Sequence, residues 1–237
     1  IGFISQESSV EVWKELVQFM VQKATFIPKS QMSTFITCCQ EKYPTQQSFF
    51  THQHCLYFIR RGDVQKVHQL YQKNITSCQT VYDFSFLYDA YTKFLEQLLI
   101  INLANNNNEK SNHQQLELEI DQEMLLKKLE HMISIREFLI LKVLIKQNDQ
   151  HVDHWLALCS YYKKNNEKHD KLKETFEKAI ICCFNSKEVI QLYIAYSDYL
   201  WKINPESTKS YCLQTLKNPK ITILTRITLT RYYCEFL

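Results

Sequence analysis

Apolar residues recur along most of the chain at steps of three and four positions, which places them on one face of an α-helix. The longest such stripe runs from Phe84 to Leu99, and shorter stripes surround Trp13, Trp155 and Val189. No segment alternates convincingly with the period of two that marks a half-buried β-strand. The pattern therefore predicts an all-α protein without a sheet.

Short polar breaks between the stripes predict helical hairpins. Gly62 suits the left-handed position after a helix, and Asp63 suits the N-cap of the helix that follows. Asn204 is in turn predicted to cap a helix that Pro205 opens. A further break covers residues 163–167. Because these breaks are short, we expect consecutive helices to pack against each other.

An asparagine-rich segment at residues 105–112, with four asparagines in succession, interrupts the helical pattern. It has no apolar side chain to bury and favours turns, so we expect a flexible insertion within a hairpin. Beyond it the periodicity predicts one helix over residues 116–133 and another over residues 136–146.

Large aromatic residues recur at an interval typical of a two-helix repeat: Trp13, Phe50, Tyr88, Trp155 and Tyr193. Successive members lie 37 or 38 residues apart, except that the interval from Tyr88 to Trp155 is near two units. A single hairpin cannot bury the apolar faces of both helices, whereas stacked hairpins share one core. We therefore expect residues 1–237 to form a right-handed α-solenoid of about five TPR-like hairpins. The missing initial methionine and the apolar last residues predict a section of a longer protein.

Composition and charge argue against three classes of protein: those with a phosphate-binding loop, those that bind nucleic acid or a membrane surface through charge, and those that span a membrane. The chain has two glycines and four prolines, and Gly2 lies too far from Gly62 to build a phosphate-binding loop with it. A net charge of +3, which we take as evenly spread, is too weak to indicate nucleic-acid or membrane binding. The strongest apolar run, Phe138–Ile145, is too short to cross a bilayer.

The nine cysteines are odd in number and lie in apolar helical runs, so we expect reduced core thiols rather than a disulfide framework. A metal site is the main enzyme-like alternative, because His151, His154 and Cys159 lie close together in sequence. Zinc sites, however, need tandem ligand spacings that this chain lacks. Two cysteine pairs are adjacent in sequence, Cys38–Cys39 and Cys182–Cys183. On a helix the two side chains of such a pair point about 100° apart, so they would chelate a metal poorly. We predict no catalytic, cofactor-binding or metal-binding residues.

A basic group of residues surrounds one predicted hairpin turn: Lys163, Lys164, Lys168, Lys171 and Lys173. It could contact RNA phosphates within a large assembly. Acidic neighbours at Glu167, Asp170 and Glu174 cancel most of this charge, however. We therefore interpret the group as the solvated surface of a turn.

Trp155, Tyr162, Phe176, Glu177 and Ala179 resemble the HAT (half-a-TPR) repeat. Its pattern has a Trp and a later Tyr or Phe on the first helix, and an aromatic followed by Glu and Ala on the second. Five further stretches occur in an order similar to that of one HAT family: residues 57–62, 80–84, 89–94, 135–148 and 151–155. This is the SYF-one family of pre-mRNA-splicing factors, also called the xeroderma pigmentosum group A binding protein two family. The resemblance covers residues 50–202.

The resemblance implies a non-catalytic protein–protein interaction scaffold in the nucleus, within the Prp-nineteen-associated complex of the spliceosome. It implies an Aquarius-type helicase, an ISY-one type protein and a crooked-neck-type HAT protein as partners, with RNA contact at most peripheral. We expect no cofactor, membrane or small-molecule substrate. The alternatives are a HAT or TPR adaptor of a cleavage and polyadenylation or chaperone complex, and an all-α enzyme that uses the thiols.

Deletion of Asn105–Asn108 should change stability little, because the entropy of closing a loop varies slowly with loop length. Chemical denaturation of the shortened and intact chains would measure the difference. A large loss of stability would show that these asparagines pack against the rest of the protein.

Overall fold

The computed structural model describes residues 9–106, 112–166 and 168–234 of the chain. In these residues it contains eleven α-helices and no β-strand, which confirms the predicted all-α class. The helices are α1 (Val10–Gln22), α2 (Lys29–Lys42), α3 (Gln47–Arg60), α4 (Val64–Ser77), α5 (Val81–Asn106), α6 (Asn112–Gln147), α7 (Val152–Lys164), α8 (His169–Cys182), α9 (Val189–Ile203), α10 (Pro205–Lys217) and α11 (Ile223–Tyr233). No helix of this described part is long and apolar enough to span a membrane.

Consecutive helices form five pairs in the described residues, from α1 with α2 to α9 with α10, and α11 follows them. The five recurrent aromatics fall one in each first helix of a pair: Trp13, Phe50, Tyr88, Trp155 and Tyr193. This placement confirms the two-helix repeat that the spacing predicts.

The predicted turn residues act as expected. Gly62 has a φ of 71°, in the left-handed region, and the Asp63 side chain accepts a hydrogen bond from the backbone N–H of Lys66. The Asn204 side chain accepts hydrogen bonds from two backbone N–H groups at the start of α10, where Pro205 is the first residue. Local side chains thus satisfy backbone donors that a helix start leaves unpaired.

Helices α5 and α6 have 26 and 36 residues, whereas the other α-helices have 11 to 15. The prediction of separate helices over residues 116–133 and 136–146 is therefore wrong, because α6 runs through both. Neither glycine nor proline occurs between Asp63 and Asn204, so nothing in the sequence breaks this helix. The interval from Tyr88 to Trp155 accordingly contains one long pair of helices rather than two repeat units.

The predicted asparagine-rich insertion lies mostly outside the described residues. Helix α5 ends at Asn106 and α6 begins at Asn112, and the structure does not describe residues 107–111. The expected flexibility of this segment therefore stays a prediction.

The chain divides into two compact units, Ile1–Glu137 and Phe138–Leu237, and α6 contributes residues to each. In the first unit, Tyr57 and Arg61 at the end of α3 hold the loop before α2. The Tyr57 hydroxyl donates to the carbonyl of Ile27 at 2.6 Å, and the Arg61 guanidinium donates to the carbonyl of Ala24 at 2.9 Å. These bonds tie the first two hairpins together. A single solenoid section over residues 1–237 stays a prediction.

The second unit has one core formed by helices α7 to α11 and the end of α6. Ser197 is fully buried in it, and its hydroxyl donates to the carbonyl of Tyr193 at 2.8 Å. Trp155 is 8% exposed, and its indole N–H donates to the carbonyl of Asp149 at 2.7 Å. The tryptophan therefore fixes the loop before α7 as well as filling the core.

Replacement of Trp155 by alanine should destabilise the protein by about 3 to 5 kcal/mol, as expected for a large aromatic removed from a packed core. Tyr82→Ala is the matched control, because Tyr82 is 78% exposed and its loss should cost less than about 0.5 kcal/mol. Urea denaturation of the two variants would measure both values. Equal stability of the Trp155 variant and the parent would contradict this packing.

Candidate interaction surface

An aromatic joint connects the second and third helical pairs in the first unit. The ring of Tyr71 in α4 lies 5.3 Å from that of Tyr91 and 6.4 Å from that of Phe94, both in α5. The Tyr91 hydroxyl lies 3.1 Å from Nδ1 of His68, within hydrogen-bond distance. Tyr71 and Tyr91 are almost completely buried, so this contact is part of the core.

An equivalent aromatic joint connects α8 to α9 in the second unit. The ring of Phe176 lies 5.0 Å from that of Tyr196 and 5.9 Å from that of Tyr199. Phe176, Tyr196 and Tyr199 stand 105 residues after Tyr71, Tyr91 and Phe94, respectively. The sequence analysis identified helical stripes of single aromatics and missed these triplets, although their shared spacings of 20 and 23 residues were the available signal.

A groove of about 420 Å³ lies between α3 and α5, beside the first joint. Its lining includes His52, Ile59, Tyr71, Asp89 and Lys93. Three aromatic rings, those of Tyr71, Phe86 and Phe94, contribute to the lining. At the edge of the groove α5 presents the exposed side chains of Asp89 and Lys93. Such a lining suits weak contact with a polypeptide better than chemistry on a small molecule.

The second unit carries a group of lysines on α6 to α9 that we call the lysine surface: Lys142, Lys146, Lys163, Lys171 and Lys202. The Lys142 ammonium lies 4.4 Å from the ring centre of Phe138, and that of Lys171 lies 4.7 Å from the ring centre of Tyr162. Their side chains are exposed, so the ammonium groups cover the rings and still face solvent. Sequence reasoning treated Lys163 and Lys171 as parts of a solvated turn and missed these ring contacts.

Lys163 extends from the last turn of α7 over the second aromatic joint. Its ammonium lies 5.2 Å from the ring centre of Phe176 and 5.4 Å from that of Tyr199. Partial desolvation against these rings lowers the pKa of Lys163, and Lys202 nearby lowers it further, although Asp198 opposes the shift. The ammonium thus makes cation–π contacts with rings of two helices.

The net charge is not evenly spread, contrary to our expectation. Residues 138–237 contain 15 Lys and Arg against 10 Asp and Glu, whereas residues 1–137 contain 13 against 15. Of the acids expected to cancel the charge of the turn lysines, Glu174 pairs with Lys178 at 2.7 Å, and Glu167 lies outside the described residues. That cancellation therefore stays a prediction.

All nine cysteines are free thiols, and six are buried, whereas Cys38 and Cys234 are exposed. Burial raises the pKa of Cys39, Cys55 and Cys159 to about 12, which keeps these thiols protonated and poorly nucleophilic.

The cluster of metal ligands that we weighed as an alternative does not form in the described part of the chain. The rings of His151 and His154 stack at 4.2 Å, but no group of three possible metal ligands occurs among the described residues. The buried thiol of Cys159 belongs to the core of the second unit.

The family described as the pre-mRNA-splicing factor SYF1 middle HAT repeat matches residues 3–199. The chain belongs to this family. It is the SYF-one family that the ordered motifs resemble, and the match begins well before residue 50, where the resemblance was expected to begin. A HAT-repeat family implies a solenoid of helical hairpins, which confirms the predicted fold class.

The matched region makes up a small share of the length of three SYF1 relatives. The pre-mRNA-splicing factor syf1 of Neurospora crassa is 26% identical over 196 residues, which cover 80% of this chain and 23% of that protein. SYF1 of Homo sapiens is 26% identical over 155 residues, which cover 65% of this chain and 18% of that protein. SYF1 of Debaryomyces hansenii is 24% identical over 173 residues, which cover 68% of this chain and 20% of that protein. The chain thus spans about a fifth of the length of these curated relatives.

Stability should depend on pH through a buried and a half-buried histidine, His54 and His68, which connect neighbouring helices of the first unit. Burial, with a smaller contribution from nearby lysines, lowers the pKa of His54 and of His68 from 6.5 to about 4. Between these values the unfolded state binds more protons than the folded state. The free energy of unfolding should therefore fall as the pH is lowered from 6.5 towards 4, and urea denaturation across this window would measure the fall.

Replacement of His54 or His68 by glutamine should reduce this pH dependence, because the titrating group is removed. Replacement of the exposed His131 is the control and should leave the slope unchanged. A parent protein whose stability is constant across the window would contradict the burial of neutral histidines.

Proposed function

We propose that this chain is the middle HAT-repeat section of a nuclear pre-mRNA-splicing factor and serves as a non-catalytic scaffold in the Prp-nineteen-associated complex. The family match over residues 3–199 carries the proposal. The named relatives in fungi and mammals, all pre-mRNA-splicing factors, support a role in splicing and hence in the nucleus.

The packing supports a scaffold role. Stacked hairpins expose a long surface on which several partners can bind at separate places. The two aromatic joints give each unit a rigid interior, so a partner surface is held in a defined shape. From the family resemblance, and not from the packing, we propose an Aquarius-type helicase, an ISY-one type protein and a crooked-neck-type HAT protein as partners of the parent protein.

The state of the thiols supports a non-catalytic role. A cysteine nucleophile needs a depressed pKa, usually beside a cation or at a helix N-terminus. Burial instead raises the pKa of Cys55 and Cys159 to about 12. Histidines near the joints bind tyrosine hydroxyls, as His169 does with Tyr199 at 2.6 Å, which is a structural contact.

The immobilised chain should capture splicing proteins from nuclear extract, and a version lacking Val152–Cys183 should not. This deletion removes α7 and α8, hence one whole hairpin and one half of the second aromatic joint. Single surface substitutions should each have small effects, since binding energy spreads over many contacts. Mass spectrometry of the captured proteins would compare the two.

Deletion of Asn105–Asn108 is the control, because we expect this asparagine-rich segment to bury no apolar side chain, and the shortened chain should preserve capture. Recovery of chaperones or of cleavage and polyadenylation factors in place of splicing proteins would contradict the proposed role and favour the other adaptor functions.

A further inference from the structure

The groove of the first unit continues as an exposed apolar strip along α5. Its α5 wall follows one face of the helix from Phe86 to Gln97, in steps of three and four residues. The same steps lead on to Ile100 and Ile101, which are 64% and 55% exposed. We call this face the α5 strip: Phe86, Ala90, Lys93, Gln97, Ile100 and Ile101. At about 1.5 Å per residue it is roughly 22 Å long.

The facing wall on α3 is apolar as well. Leu56 and Ile59 line the groove and are half-buried. The rings of Tyr71 and Phe94, which also line it, are almost completely buried. A ligand in the groove would therefore contact apolar side chains of two helices and, beyond them, the exposed isoleucines. Continuous apolar surface of this kind is typical of an interaction site.

The charged residues beside this surface balance each other. Asp89 and Lys93 line the groove, and the exposed Arg60 and Glu96 follow next to its walls on α3 and α5. These are two basic and two acidic residues, so the surface has no net charge. Binding of nucleic acid through its phosphates depends on surplus positive charge, which releases counterions. The balance of charge therefore favours a polypeptide ligand.

The form of the walls favours a helical ligand. Both walls are α-helices, whose backbone groups pair within the helix, so an extended segment would find no backbone partners there. A helix satisfies its own backbone groups and can place an apolar stripe along the groove. In the described part of the chain the side chains of Asp89 and Lys93 form no ion pair or hydrogen bond. Both charges are thus available to such a helix.

We propose that the groove and the α5 strip bind an amphipathic α-helix of a partner protein, with both basic and acidic residues beside its apolar stripe. This inference goes beyond the proposed function, because it names the place of binding and the chemistry of the ligand. The apolar contacts supply the affinity, and Asp89 and Lys93 select among helices by charge.

Fluorescence anisotropy with the 237-residue chain tests the proposal with three labelled synthetic helices. All three have the same leucine stripe, and the flanking positions are mixed Lys and Glu, all Lys, or all Glu. The mixed helix should bind most tightly, since Asp89 and Lys93 can each meet a residue of opposite sign. Asp89→Lys should make the all-Glu helix the tightest ligand. Glu41→Lys, at an exposed position of α2, is the matched control and should preserve the order of the parent.

The apolar contacts need a separate pair of variants. Ile100→Gln combined with Ile101→Gln should weaken binding of the mixed helix about tenfold, because two apolar contacts are lost. Ile181→Gln combined with Ile227→Gln is the matched control, since these isoleucines of the second unit are 74% and 62% exposed. It should bind within about twofold of the parent. Because all four side chains are exposed, each variant should fold, and circular dichroism would check this.

Four results would overturn the proposal. Equal weakening by both double glutamine variants would show that apolar side chains attract the peptides without a defined site. An unchanged order of the three helices in the Asp89 variant would show that the groove does not select by charge. A dimer of the parent chain that is lost in the Ile100 and Ile101 variant, measured by light scattering, would assign the strip to a second copy. The absence of measurable binding by all three helices would show that the surface has no affinity for amphipathic helices.

Discussion

The structure depends on the burial of large aromatic side chains between successive helical hairpins. Two helices alone leave one apolar face of each exposed to water, and the next hairpin covers it. Tyr71 in the first unit and Phe176 in the second show how this is done, because each packs against two rings of the following helix. Each ring buries a large apolar area and its neighbours orient it, so the joints define the register of consecutive pairs.

Other features follow from these joints. Buried tyrosine hydroxyls need hydrogen-bond partners, and histidines such as His68 and His169 supply them at the boundaries between helices. Burial lowers the pKa of His68 to about 4 and keeps it neutral, which connects the stability of the stack to pH. Lysines at the helix ends cover the outer edges of the rings with their stems and hold their ammonium groups in water. A single packing requirement thus produces both the interior and the pattern of charge on the surface.

The relation of this architecture to function is indirect. For the scaffold role that we propose, a stack of hairpins provides area and rigidity, and burial keeps the thiols of Cys55 and Cys159 protonated and poorly nucleophilic. In that proposed role, specificity would come from surface features that differ between repeats. The first unit has a groove with mixed charge beside its joint, whereas the second unit has lysines over its own. The surfaces beside the two aromatic joints therefore present different side chains to solvent.

Periodicity and turn chemistry alone determined the all-α class, the paired helices and the turns at Gly62 and Asn204, because these depend on local spacing and on backbone groups within a few residues. Ordered motifs also indicated the family. The continuity of α6 was not recognised, since a helix without glycine or proline carries no local signal of where it ends. Only the tertiary structure decided which rings meet across hairpins and which lysines lie over them. Those contacts join residues 20 or more positions apart, as between Tyr71 and Tyr91, and their geometry depends on how whole helices pack.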